Sequence, residues 1–326
     1  MLNAFSVDLE EWYQAFDRPP PPPIGGWPDR LQASLDVLLE LLARSGARAS
    51  FFVVGEVAQA QPALVRRIAG LGHEVACHGH SHRRLTRLDA ARFQEDLKRA
   101  VGVLGELAGR PIRGFRAPWF SLGRSTWWAV DVLARQGLLY DSSLFPVWNP
   151  FYGTFGCSPH PHLIRSADGR PLWEIPPAPT RLFGVPVPLA GGFYLRNAPC
   201  WLVRAAIRRL NRQGRAAVLY THPWELDQGQ PVLTVPAVER AIHYWGLDGW
   251  ARRLARLLGE FRFDSMERVF AHLWTGTGGS PASGCCSVEP GSPTCSAELG
   301  LCESEPGSAP APDPQRLQEL GPDPAG

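Results

Sequence analysis

Residues 49–82 read ASFFVVGEVAQAQPALVRRIAGLGHEVACHGHSH, and this stretch decides the fold class. ASFFVVG is a short apolar run of strand length. QPALVRRIAGLG repeats its apolar residues at helical spacing and reaches Gly72 near its end, and HEVACH is a second short apolar run. Strand, helix and strand in that order make a βαβ unit, the building block of a parallel sheet. The alternation extends both ways. Upstream, NAFSVDL at 3–9 reads as a buried strand, and DRLQASLDVLLELLARSG at 29–46 as a helix with Asp29 as N-cap and Gly46 as its stop. Downstream come a long amphipathic helix (DAARFQEDLKRAVGVLGEL), a strand (IRGFRAP), a helix (STWWAVDVLARQG) and a strand (LLYDSSL). Near the end, APCWLVRAAIRRLNRQG is a helix and AAVLYTHP a strand.

The pattern predicts an α/β chain with six or seven such strands. No Gly-x-Gly-x-x-Gly turn follows the first strand, so a closed or partly closed (β/α) barrel is expected over a doubly wound sheet. Pro19–Pro23 reads as a polyproline connector. Between Trp148 and Arg196 the alternation gives way to Pro- and Gly-rich sequence, expected to be an irregular insertion at the mouth of the barrel. From Pro236, PAVERAIHYWGLDGWARRLARLLGEF reads as largely helical with a break around Gly246, and FRFDSMERVFAHL adds a strand-like turn and one more helix. The expected organisation is a catalytic barrel over 1–235, a helical extension packed on it over 236–275, and a disordered tail over 276–326. In that tail 25 of 51 positions are Gly, Pro or Ser and none is aromatic, too little apolar surface to offset the entropy of ordering.

Charge divides at the same boundary. The whole chain of 326 residues has a formal net charge of +2, but the residues after Thr275 carry seven acids and one base, leaving +8 on the body. The near-neutral total argues against a generic nucleic-acid binder. Cys77, Cys157 and Cys200 are scattered through the body and odd in number, which is no disulfide framework, and Cys285, Cys286, Cys295 and Cys302 lack the paired spacing of a zinc site. The opening MLNAFSVDLEEW has no basic region ahead of an apolar one, so it does not read as a secretory signal, and a cytoplasmic location is expected.

In a barrel the chemistry sits where strands end. The first strand delivers Asp8, Glu10 and Glu11, with Asp8 and Glu10 on one face by period two. Two carboxylates after a buried strand need a metal or a cation as partner. The third strand ends in His78-Gly79-His80-Ser81-His82. Neutral imidazoles with a carboxylate form a common first-row metal site that leaves open positions for water and substrate. His80 lies between the other two and is expected to point elsewhere. Arg116 after the fourth strand can hold a carboxylate ionised and oriented. Tyr140-Asp141-Ser142-Ser143 ends the next strand. His222, flanked by Thr221 and Pro223, follows the last one and suits a positioned acid or base. Trp119, Tyr194 and Trp224 are candidate stacking faces for a sugar.

Taken in order, SVDLEEW, HGHSHRRL, GFRAPWF, YDSSLF and VLYTHPWEL resemble the polysaccharide deacetylases, the chitooligosaccharide deacetylase-like carbohydrate esterases. AGGFYLR, THPWELDQGQP and AIHYWGLDGWARRLARLLGEFRF resemble one subgroup, the exosortase-linked (PEP-CTERM system) exopolysaccharide deacetylases. The resemblance covers roughly residues 3 to 270. It implies a distorted (β/α) barrel and metal-dependent N-deacetylation of amino sugars in a polysaccharide, in exopolysaccharide biosynthesis. It matches Asp8 to the catalytic base, Glu10, His78 and His82 to the metal ligands, Arg116 to the arginine that orients the base, and His222 to the general acid. The implied cofactor is a divalent metal, Zn2+ first. The implied partner is an N-acetylated polysaccharide or oligosaccharide, with peripheral contact to the inner membrane face or the polymer-assembly machinery.

Two departures from the family pattern leave questions open. Leu9 follows Asp8 where many relatives have a second aspartate, so Glu10 and Glu11 both stand as candidate ligands. Leu144 stands where many relatives have a carboxylate that tunes the acid histidine, so Asp141 is the candidate partner of His222. Two other readings stand beside deacetylation: an amidase or cyclic-imide hydrolase on the same scaffold, and a non-catalytic carbohydrate-binding relative. The charge boundary has a direct test. Truncation after Thr275 is expected to leave metal content and turnover unchanged, and loss of either would place the tail within the working enzyme.

Overall fold

The computed structural model describes residues 1–16, 22, 26–147, 153–154, 156–177, 180–182 and 185–275. The polyproline reading of Pro19–Pro23 and the tail 276–326 therefore lie almost entirely, or entirely, outside the described residues. The strands are β1 (Leu2–Leu9), β2 (Ser50–Val53), β3 (Glu74–Cys77), β4 (Gly114–Phe115), β5 (Tyr140–Asp141), β6 (His162–Arg165), β7 (Pro171–Glu174), β8 (Thr180–Leu182), β9 (Val185–Val187), β10 (Val218–Thr221) and β11 (Arg262–Asp264). The longer helices are α1 (Leu31–Ser45), α2 (Gly55–Ala60), α3 (Pro62–Gly70), α4 (Ala90–Ala108), α5 (Trp128–Arg135), α6 (Gly192–Asn197), α7 (Cys200–Arg212), α8 (Ala237–Tyr244) and α9 (Trp250–Glu260), followed by the short α10 (Met266–Val269) and α11 (Ala271–Thr275).

The main sheet runs β10-β1-β2-β3-β4-β5-β7-β6. Every pairing from β10 to β7 is parallel, and only β6 is antiparallel to its neighbour. With helices between successive strands, this curled sheet is the expected distorted (β/α) barrel. Its strands are buried on both faces: Val7, Leu9, Phe51, Phe52, Val53, Ala76, Cys77 and Phe115 are all fully buried. The N-cap residue of α1 is Arg30, one position after the expected Asp29. Asp89 caps α4 by accepting from the Arg92 N–H. Gly46 ends α1 with φ +66, and Asp29 Oδ1 accepts from Leu31 N–H at its start. Among the described residues no helix is long and apolar enough to cross a membrane.

One expectation needs correction. The segment between Trp148 and Arg196 is not irregular throughout. It contains the β6–β7 hairpin, and β7 continues the parallel sheet beside β5. Pro171 opens β7 and its four residues are too few to show a period, so the strand was hidden among turn residues. The 236–275 segment is helical, and its strand-like turn is β11, which pairs in parallel with Leu2–Ala4 of β1. It is bolted to the far end of the barrel as well. Buried Glu74 accepts from Tyr140 Oη at 2.8 Å, from Ser50 Oγ and from the Glu267 N–H at 3.0 Å. Ser50 Oγ in turn accepts from Met266 N–H.

The break near Gly246 separates α8 from α9, with Gly246 at φ +78 and Gly249 at φ +76. Beyond it, Trp250, Leu254, Leu257 and Leu258 bury one face of α9, and Trp250 Nε1–H reaches Thr221 Oγ1 of β10. Trp250 is fully buried. Trp250→Ala is thus expected to cost about 3–5 kcal/mol in urea unfolding. A cost below about 1 kcal/mol would mean that the C-terminal segment is an appendage rather than part of the core.

Candidate active site

The strand ends named from the sequence converge on one cleft of about 370 Å³, lined by Asp8, Glu10, His78, His82, Trp119, Tyr194, His222 and Trp224 among others. The first pair to form is Asp8 with Arg116, neither of them exposed beyond 2 %. Arg116 Nη1 donates to Asp8 Oδ1 at 2.6 Å and to Ser6 Oγ at 3.0 Å, while Nε and Nη2 are taken by the Ser142 carbonyl and hydroxyl. Its guanidinium lies over the Phe52 ring, 4.1 Å from the centroid. The fork is therefore locked, and Asp8 keeps Oδ2 towards the cleft, 3.9 Å from His222 Nε2.

Glu10, His78 and His82 present ligand atoms within 4.8 Å of one another. His78 Nδ1 lies 2.8 Å from the Arg116 carbonyl, which can only accept. The proton is therefore on Nδ1, and Nε2 faces Glu10 with a free lone pair. Burial lowers His78 to about 4, keeping it neutral as a ligand must be. His82 Nε2 lies 2.7 Å from Glu10 Oε2 but outside hydrogen-bonding alignment, a buried nitrogen with no donor or acceptor of its own. Burial alone would raise Glu10, yet the charges of His82, His222 and His78 hold it down at about 2. Its other oxygen accepts from Trp224 Nε1–H at 3.0 Å. An oriented carboxylate, a tautomer-fixed imidazole and an orphaned imidazole nitrogen fit a divalent cation of the zinc type.

The loop carrying the histidines turns sharply. Gly79 has φ +74, and His82 itself lies in the left-handed region at φ 51, uncommon for a side chain with a Cβ. The turn is held by Asp96 of α4, which accepts from the backbone N–H groups of His80 and Ser81 and from Ser81 Oγ. His80 packs against Gly55, where a Cβ would collide with its ring, and it is no part of the ligand cluster, as read from the sequence. The alternative ligand Glu11 turns away to Gln61 Nε2, and burial followed by the nearby Asp29 charge pushes it up to about 7.

Asp141 is not the partner of His222. That partner is Glu225, three residues on in the same motif: its Oε1 lies 2.6 Å from His222 Nδ1, and its Oε2 accepts from Arg196 Nη1 at 2.7 Å. Burial works to lower His222, but its bond to Glu225 and the charges of Glu10, Glu225 and Asp8 raise it to about 9. Asp141 instead accepts from Ser143 Oγ, whose own oxygen takes the Ala117 N–H. Trp224 also differs from its expected part. It is buried, stacked on His222 and His243 with centroids 5.0 and 4.2 Å away, and bonded to Glu10, so it positions the site rather than offering a face to sugar. Trp119 and Tyr194 do line the cleft, Trp119 with the Arg84 guanidinium 4.4 Å over its ring.

Two sets of measurements follow. Glu10→Ala, His78→Ala and His82→Ala are each expected to weaken Zn2+ binding at least about 100-fold by calorimetry, with Glu11→Ala close to wild type. Equal losses at Glu10 and Glu11 would contradict the assignment. The second concerns Asp141 and Glu174, direct neighbours across β5 and β7 and both fully buried. Asp141 Oδ2 and Glu174 Oε2 have no donor, so a shared proton must supply one. Burial raises both acids, and Glu174, facing the Asp141 charge as well, goes well above its ordinary value. Their folded forms hold protons that the unfolded chain releases. Stability is then full below the unfolded carboxyl range and falls as pH rises through the folded values. Glu174→Gln is expected to match wild type near pH 3, below the ordinary carboxyl values, and to melt higher than wild type near pH 9. A constant offset at both would exclude the shared proton.

Comparison with known proteins bears on the family and the fold. Residues 9–137 match the polysaccharide deacetylase family, and residues 142–271 match a domain of unknown function (DUF3473). A peptidoglycan deacetylase-like protein of Gibberella zeae is 33 % identical over 109 residues, covering 33 % of this chain and 31 % of that protein. A chitooligosaccharide deacetylase of a Bradyrhizobium species is 33 % identical over 100 residues, 30 % of this chain and 43 % of the relative. The matched stretches thus span less than half of these relatives. In fold, the chain is similar to a Mycobacterium smegmatis structure described as a candidate polysaccharide deacetylase (TM-score 0.54, 22 % identity, 86 % of this chain and 95 % of that one). It is equally similar to Puue allantoinase (TM-score 0.55, 16 % identity, 85 % and 91 %).

Proposed function

We propose, from the premise that this chain carries a polysaccharide deacetylase domain over residues 9–137, that it hydrolyses N-acetyl groups of amino sugars in a polysaccharide. The observation that carries the reading is the convergence of the Glu10, His78 and His82 cluster with Asp8 and His222 in one cleft. His222 Nε2 stands 3.9 Å from both Asp8 Oδ2 and Glu10 Oε1, beyond hydrogen-bonding distance of either, and all three face the same cleft.

A divalent cation, zinc by the ligand types, would be held by Glu10, His78 and His82 and would supply Lewis acidity to the acetyl carbonyl and to a water. The remaining work falls to side chains. Asp8, with Oδ1 tied to Arg116, takes a proton from the attacking water at Oδ2. His222, with Nδ1 tied to Glu225, gives its Nε2 proton to the nitrogen as the C–N bond breaks, since an amine does not leave as an anion. Acetate and a free sugar amine result. Trp119 and Tyr194 offer the cleft faces against which a sugar ring can rest.

The finer reading, that the polymer is an exopolysaccharide precursor handled on the cytoplasmic side near the membrane and its assembly machinery, is part of the same proposal. It is supported by the resemblance of AGGFYLR and THPWELDQGQP to the exosortase-linked subgroup. The division into a barrel (1–235), an extension (236–275) and a tail (276–326) belongs to it too. The test is acetate release from N-acetylhexosamine oligomers by the zinc-loaded protein. His222→Ala is expected to lower kcat by about 100- to 10,000-fold, and removal of metal by a chelator to abolish turnover until zinc is restored. Normal turnover by either would sink the scheme.

A further inference from the structure

The segment 142–271 matches a domain of unknown function, and a densely bonded buried polar cluster lies within it. Glu225 is fully buried, and both of its oxygens are taken. Oε1 accepts from the His222 ring at 2.6 Å and from the His222 backbone N–H at 3.1 Å, and Oε2 accepts from Arg196 Nη1 at 2.7 Å. Arg196 is fully buried too. Its other donors reach the carbonyls at the end of α8: Nε to Trp245 at 2.9 Å, and Nη2 to Ile242 at 2.7 Å and His243 at 3.0 Å. Those carbonyls have no partner within the helix and carry its negative end. A single guanidinium thus joins three things that are far apart in sequence: α6, the loop after β10 and the end of α8.

We propose that this segment supplies and holds the acid half of the active site, with Arg196 and Glu225 as positioning residues for His222 and the end of α8 as their anchor. The chemistry requires such a hold. A buried carboxylate left to itself takes up a proton and no longer fixes the imidazole. Paired with Arg196, it stays ionised and accepts from Nδ1, so Nε2 is the nitrogen that faces the cleft. The fork of arginine matters because four bonds diverge in one plane, a geometry that lysine lacks. The sugar-contacting part of the cleft is shared in the same way, with Tyr194 from α6 and Glu239 and Ile242 from α8 in its wall. The metal-binding half lies in 9–137 and the proton-donating half in 142–271, and neither makes the site alone.

The role in catalysis rests on the deacetylase reading, but the hold on His222 can be measured without it. Three variants of the zinc-loaded full chain are compared: Glu225→Gln, which keeps shape and removes charge; the double variant R196M/E225L, which leaves no buried charge unpaired; and Arg196→Lys. Glu225→Gln is expected to lower kcat about 100-fold or more with KM and zinc content unchanged, the double variant to be as low, and Arg196→Lys to keep part of the activity. In nitrogen-15 histidine spectra, the His222 Nδ1–H signal is expected in wild type and Arg196→Lys and absent in the double variant. Wild-type kcat in Glu225→Gln or in the double variant would overturn the proposal, as would a loss of zinc that accounts for the lost activity. Persistence of the Nδ1–H signal in the double variant would overturn it as well. If wild type releases no acetate but shows the Nδ1–H signal, and the double variant loses it, the deacetylase reading fails and the hold on His222 stands.

Discussion

A carboxylate buried at the end of a strand must find a cation, a metal or a proton, and the two that face the cleft, Asp8 and Glu10, lie within three residues of chain. The Asp8–Arg116 pair answers the first. Arg116 reaches across from the end of β4 to β1, and its remaining donors draw in Ser142 just past β5. One ion pair thereby sets the relative positions of three strand ends. The same arginine also holds the metal side, since its backbone carbonyl fixes the His78 ring.

Glu10 is answered differently. One oxygen has the Trp224 indole N–H and the other faces imidazole nitrogens, and among the described residues no arginine or lysine pairs with it. Arginine, the partner chosen at Asp8, would fill the space. Histidines leave lone pairs that a metal can use. The left-handed backbone at His82 and the Asp96 clamp on its loop are local costs of aiming the second imidazole at Glu10. A second arginine, Arg196, repeats the buried pairing at Glu225 and does for the acid side what Arg116 does for the base side.

Much of this was legible in the chain. Asp8, Glu10, His78, His82, Arg116 and His222 each follow a short apolar run, and barrel geometry brings strand ends together whatever their distance in sequence. What stayed hidden depends on partners rather than positions. Arg196 is one arginine among 32, and nothing local tells that its fork closes on Glu225, 29 residues later. Nothing in the Pro-Trp-Glu turn singles out Glu225 from the chain alone, and Asp141, at a strand end, stood as the candidate partner. Trp224 read as a platform because aromatic residues near a sugar site usually are, and only its stacking between histidines and its bond to Glu10 show otherwise. β7 escaped because four residues opening with proline carry no period.

Everything in the account turns on where a cation binds. The most direct measurement is an anomalous difference map from crystals grown with zinc and collected at the zinc edge. The account predicts one peak per chain within coordination distance of Glu10, His78 Nε2 and His82 Nε2, with Asp8 and His222 beside it but unligated. A peak bound through Glu11 or His80, or no peak among these residues in zinc-saturated crystals, would contradict it.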